Sequence, residues 1–311
     1  MVNFISVLKV IFPVFALMLI GYILKSASII NENTVRQINK MIFWVTLPLF
    51  VFSNIYASGI SSILPSTMLI FILSAVVGEF LISLFLVMAF EKNNSKRAVM
   101  LQAVSSSQFA LLGIPILTAV TGITPAIVSV MILCLVPLLN LLSVVSLEVY
   151  RGNRPNLFNV LKGIFTNPMI LFSILAIALL YFHVQIPSYI VSAVENAGNL
   201  STPLAFIMLG AYFSFSDTAS YFKQIALTIL LKILLFPTII LAVAIFMGLR
   251  GADLILILCI FIAPCAVHSF AMAQELNGDE RLANQLVVLT FFLSIGAAFL
   301  FSFILKQMGM I

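Results

Sequence analysis

The side chains best suited to chemistry in this chain stand beside two prolines in apolar stretches. Gln108 precedes Pro115, and His268 follows Pro264. A glutamine amide and an imidazole can each donate hydrogen bonds to a carboxylate, and histidine also changes charge near neutral pH. Ser105, Ser106 and Ser107 lead up to the first proline, while Ser269 follows the second. Serines in membrane helices commonly bond back to their own helix, and a lone histidine there can be a satisfied packing residue, so both bland roles stand beside the functional ones. Asn140 is a further candidate to line a site, with an interhelical hydrogen bond as its default role. The expected substrate-binding set is therefore Gln108, Pro115, Asn140, Pro264, His268 and Ser269. Ser105, Ser107, Glu79 and Lys232 form a secondary set.

Proline lacks an amide hydrogen and clashes with the carbonyl four residues earlier, so Pro115 is expected to free the carbonyl of Leu111 and Pro264 that of Ile260. Unpaired backbone persists at membrane depth only where protein or a water-lined cavity satisfies it. Beyond each break a new half-helix begins, with free N–H groups and the positive end of its dipole directed into the membrane centre. If the two breaks cross, they form a small polar site suited to an anion. The alternative is that these prolines merely kink their helices.

The elements that must hold these residues follow from a pattern that occurs twice. Pro13, Pro48 and Pro115 are answered by Pro168, Pro203 and Pro264, with first intervals of 35 residues in both halves and second intervals of 67 and 61. Paired Gly/Pro-interrupted hydrophobic segments point to the binding site of a secondary transporter. At 63% apolar and 8% charged residues, with a mean hydropathy of +1.23, the chain has too little polar surface for a water-soluble globule. Ten stretches of roughly 20 apolar residues can be placed, the length that crosses about 30 Å of hydrocarbon. They fall near 5–24, 38–57, 66–90, 97–120, 125–149, 162–183, 190–213, 221–248, 253–274 and 283–306.

Five spans per half make the second copy enter from the opposite face. The expected fold is an all-α membrane protein, ten transmembrane helices in two inverted five-helix repeats with broken, crossing helices 4 and 9. Residues 1–150 form the first repeat, 151–165 a cytoplasmic connection and 166–311 the second repeat. Eleven of the fifteen basic residues fall in loops after odd-numbered helices, which makes those loops cytoplasmic and leaves both termini extracytoplasmic. The N-terminus lacks the pattern of a secretory signal, so helix 1 is expected to be retained. Glu195 and Asn196 are read as residues opening helix 7. Glu79 and Lys232 lie well inside spans, where charges are rare. A structural ion pair, a proton pathway and snorkelling to an interface all remain open for them.

Several classes are disfavoured. Cys134, Cys259 and Cys265 all sit in apolar spans, and CxxC and HxxxH spacings are missing, so neither a disulfide framework nor a metal site is expected. No nucleotide motif GxxxxGK[ST] occurs, and no cofactor is implied. Asp217, Asp253 and Asp279 lie in loops or at helix ends and His268 has no nucleophile motif, which argues against an intramembrane enzyme. The basic residues read as topology signals and not as a nucleic-acid surface.

The runs SSSQFALLGIPIL (Ser105 to Leu117), NAGNLSTPLAFIMLGAYFS (Asn196 to Ser214) and APCAVHSFAMAQELNGDERLANQLVVLTFFLSI (Ala263 to Ile295) resemble the auxin efflux carrier family, which includes the plant PIN-formed exporters and bacterial malate or malonate permeases. The resemblance covers nearly the whole chain, and the last run is its most specific part. It implies ten helices in inverted repeats, a scaffold and a transport domain, crossed helices 4 and 9, carrier-type movement of small organic acids, and a homodimer. Gln108 and His268 stand where relatives often carry asparagine, so the resemblance does not transfer a substrate. The short link between the halves matches the compact bacterial type.

The sequence thus points to a secondary carrier in the plasma (inner) membrane that moves a small organic anion, a mono- or dicarboxylate, by alternating access. Coupling to H+ or Na+ is left open. A cation/proton antiporter-like carrier or a ligand-sensing membrane protein of the same fold is the alternative, although the antiporter would need acidic residues at the crossover, and none flanks Pro115 or Pro264.

Overall fold

The computed structural model describes residues 4–59, 67–121, 127–151 and 157–311, and among them only helices and their connections occur. In chain order the helices are α1 Phe4–Ser26, α2 Glu32–Ser58, α3 Thr67–Phe90, α4 Asn94–Ser105, α5 Ile114–Thr121, α6 Ile127–Val149, α7 Leu157–Thr166 and α8 Pro168–Tyr181. They continue with α9 Ser188–Asn199, α10 Ser201–Tyr212, α11 Phe215–Ser220, α12 Phe222–Phe246, α13 Ala252–Ile262, α14 Ser269–Glu275 and α15 Glu280–Gln307. Helices α2, α3, α12 and α15, with the Val130–Val149 part of α6, are each long and apolar enough to cross a bilayer, and α7 and α8 make up a bent pair with a 57° angle. Residues 152–156 of the expected connection 151–165 lie outside the described residues, and most of its remainder is the helix α7.

Helix starts follow from local chemistry. Asn31, Asn93, Asn167 and Asp279 each accept a hydrogen bond from a first-turn amide of α2, α4, α8 and α15, the arrangement that satisfies donors a helix leaves unpaired. Pro168 then takes the first position of α8, where a missing N–H costs nothing. Glu195 and Asn196 lie inside α9 and do not open a helix. The start there is Ser188, directly after Pro187.

Prolines within spans have a different effect. Widened π turns occupy Ile42–Thr46, Phe109–Gly113 and Leu230–Leu235. Each ends two residues before a proline: Pro48, Pro115 or Pro237. Widening the turn relieves the clash between the proline ring and the preceding carbonyls, so the chain stays helical through the proline. Pro115 therefore sits inside a helical stretch, and the interruption expected at that proline lies upstream of it, at Ser106–Gln108. The second interruption, Ala263–His268, does contain its proline, Pro264.

Close helix contacts rest on small residues. A β-carbon on Gly21 would meet the Ile207 carbonyl oxygen at 1.9 Å, and one on Gly210 would meet that of Met18 at 1.8 Å. The α1–α10 pair can approach only because both positions lack side chains, a common basis of membrane helix packing. Helices α2, α8 and α9 pack together, as do α3, α4, α6 and α12–α15. The interrupted segments are the most enclosed: Leu254 to Val267 and Ala98 to Ser106 are buried throughout. Large apolar side chains such as Phe85, Phe246 and Leu300 instead face outward on α3, α12 and α15, as lipid contact requires.

Candidate binding site where two interrupted helices cross

The two interruptions meet and satisfy each other's backbone. Pro264 forces the preceding Ala263 into an extended conformation, which ends α13. On the other strand of the crossing, Ser106 is extended after the last turn of α4. The Gln108 N–H donates to the Pro264 carbonyl at 2.9 Å. The Ser107 hydroxyl donates to the Ile260 carbonyl at 2.7 Å. Ser106 Oγ accepts from the Ala266 N–H at 3.4 Å and lies 3.2 Å from Cys265 Sγ. The Val267 N–H donates to Gln108 Oε1 at 3.3 Å. Buried polar backbone must be paired in this way to be tolerated. The carbonyl of Ile260 is thus freed by Pro264 and claimed by Ser107. The amides of Ala266 and Val267, which the sequence suggested would be free beyond Pro264, are instead engaged within the crossing, as is that of Gln108.

A cavity of about 270 Å³ opens beside this crossing. Its polar lining comes from Ser106, Ser107 and Gln108 of the first interruption, His268 of the second, Asn140 and Ser143 of α6, and Asn54 of α2. Apolar walls are supplied by Phe50, Val51, Leu111, Leu135, Val136 and Leu139 among others. Among the described residues, the lining contains no lysine, arginine, aspartate or glutamate.

The donors in this lining are specific. Asn140 Nδ2 is buried and has no hydrogen-bond partner among the described residues, although such groups are nearly always paired. Gln108 uses Oε1 within the crossing, which leaves its Nε2 half as the donor. The sequence-based set is therefore only partly brought together. Gln108, Asn140, His268 and Ser107 share the cavity, whereas Pro115, Pro264, Ser105 and Ser269 are not among its lining residues. Ser105 bonds back to the Leu101 carbonyl of its own helix at 2.7 Å, the bland role open to it. Pro115 and Pro264 act on the backbone that carries the site.

Asn54, Ser143 and the ring of Phe50 were not singled out from the sequence. Ser143 stands one turn beyond Asn140, a spacing that puts both on one helix face, and this was a usable signal. Asn54 gave none beyond being a polar residue in an apolar run.

Glu79 and Lys232 are apart from the cavity lining but close to each other. Lys232 Nζ lies 4.0 Å from Glu79 Oε1, with both side chains buried. It donates to the Val104 carbonyl at 2.9 Å, in the last turn of α4 before the interruption. Of the three roles open from sequence, these contacts are those of a buried ion pair.

The sequence profile of a family described as membrane transport protein matches the chain twice, over residues 6–154 and 153–302. The chain belongs to this family. It is the family of the auxin efflux carriers, and the protein is accordingly a membrane transport protein. The double match agrees with the doubled proline pattern. No curated protein matches the chain.

Proposed function

We propose that this protein is a secondary carrier of a small organic anion, with a monocarboxylate the best fit, and that the cavity at the crossing is its substrate site. The observation that carries this reading is the Asn140 amide, a buried donor without an acceptor among the described residues, on a side chain that lines the same cavity as Gln108 and His268. A ligand carboxylate supplies the missing acceptor. A buried donor left unpaired costs about 1–3 kcal/mol, so the site gains when an acceptor arrives. The apolar walls suit an organic body behind a single carboxylate, and the absence of a lysine or arginine in the described lining disfavours a second one.

On this reading the ten segments form two inverted five-helix repeats, residues 1–150 and 166–311, and alternating access exposes the crossing to each side in turn. The distribution of basic residues supports an orientation with both termini extracytoplasmic, and the plasma membrane is the proposed location. The described lining has no carboxylate to hold a metal ion or carry a proton, which weighs against a cation antiporter. The test is counterflow in proteoliposomes: vesicles preloaded with unlabelled monocarboxylate should transiently accumulate labelled acid, and His268→Ala should diminish the overshoot. Equal accumulation in empty vesicles, or none with any carboxylate, would overturn the assignment.

A further inference from the structure

Lys232 is the one buried lysine or arginine among the described residues, and its position relative to the crossing is specific. It stands in the widened turn Leu230–Leu235 of α12 and reaches the carbonyl of Val104, two residues before the cavity-lining Ser106. The partial negative charge at the end of α4 is thus met by a full positive charge. Glu79, on α3, faces the same ammonium at 4.0 Å, beyond hydrogen-bond distance, and its Oε1 has no hydrogen-bond partner among the described residues. Ser83, one turn further along α3, likewise has a buried hydroxyl without a partner. At Oε1 the carboxylate is therefore held near the lysine by charge and not by a hydrogen bond.

Resting on the carrier reading, we propose that Glu79 and Lys232 set the charge of the anion that the crossing accepts. Lys232 places a full positive charge at the end of α4, two residues from the cavity lining, and Glu79 cancels most of its field, so the compensated pair selects one negative charge over two. Both residues act through space and through the end of α4. They are specificity-determining positions and touch no substrate. An uncompensated charge about 10 Å away at an effective dielectric of ~20 alters affinity for one additional negative charge on the order of tenfold.

The test compares binding of a monocarboxylate and the dicarboxylate of the same chain length to the purified protein. Glu79→Gln, nearly isosteric, unmasks the lysine and should raise the dicarboxylate-to-monocarboxylate affinity ratio about tenfold. Lys232→Gln should lower the same ratio, and the double variant, neutral again, should return it to within about twofold of the unmodified protein. Should Glu79→Gln not fold, Lys232→Gln reads the same quantity with opposite sign, and Lys232→Arg should restore the original ratio. A merely structural ion pair would lower stability or total binding without moving the ratio, and an unmoved ratio in folded single variants overturns the proposal. Failure of the unmodified protein to bind any carboxylate would instead strike the carrier reading on which the proposal rests.

Discussion

The two interruptions that cross at the cavity differ in how their ends are satisfied. The end of α4 is closed by an ammonium, with Lys232 bonded to Val104, whereas the end of α13 is closed by a neutral hydroxyl, with Ser107 bonded to Ile260. The first interruption contains no proline and puts Ser106, Ser107 and Gln108 into the cavity lining; the second is built on Pro264 and contributes Ala266 and His268. A helix can therefore be stopped at membrane depth either by proline or by polar side chains that find partners on another segment. The two halves share a plan, yet the first carries most of the polar lining, and of the two interruptions only the first is closed by a charge.

The largest expected effect falls on Gln108, where both interruptions meet. Gln108→Ala removes the acceptor for the Val267 amide and a donor to the ligand, and should weaken carboxylate binding about a hundredfold. His268→Ala removes one polar group of the second interruption and should weaken it about tenfold. Equal losses in titration calorimetry would erase the asymmetry between the segments.

The prolines sharpen the same contrast. Pro264→Ala lets the N–H and the helical conformation return at the interruption itself, and transport should fall by about tenfold or more. Pro115→Ala acts on a turn that has already widened around the ring, and should change transport by less than about threefold. Initial uptake rates in proteoliposomes measure both, and a larger loss for Pro115 would contradict the placement of the first interruption upstream of it.

A smaller effect separates neighbouring serines. Ser107→Ala strands the Ile260 carbonyl and should lower stability by about 1–3 kcal/mol, while Ser105→Ala removes a bond within its own helix and should cost at most about 0.5 kcal/mol. Thermal unfolding in detergent compares the two, and matched losses would mean that the crossing does not depend on the inter-segment bond.

Much of this was legible in the chain because membrane spans are written in long apolar runs and paired prolines. All-helical architecture and two related halves follow from those features. The exact stopping point of α4 was not legible, since Pro115 is the obvious helix breaker and the serines look like ordinary back-bonding residues. Only the position of α13 makes Ser107 a cap for Ile260. For the same reason, Gln108 and His268 could be picked out by their proximity to prolines, but Asn54 and Phe50 could not. Their relevance depends on α2 packing beside the crossing. Glu79 and Lys232 were visible as buried charges, and their pairing required the approach of α3 to α12, which no local pattern encodes.

Recognition of a carboxylate by unpaired donors in the cavity can be read by titrating purified protein with a monocarboxylate and with the uncharged primary amide of the same acid, in the unmodified chain and in Asn140→Leu. The acid should bind at least tenfold more tightly than the amide, and Asn140→Leu should lose about tenfold in acid affinity with no loss of thermal stability, because the replaced donor has no protein partner. Indistinguishable binding of acid and amide, or unaltered acid affinity in Asn140→Leu, would contradict it.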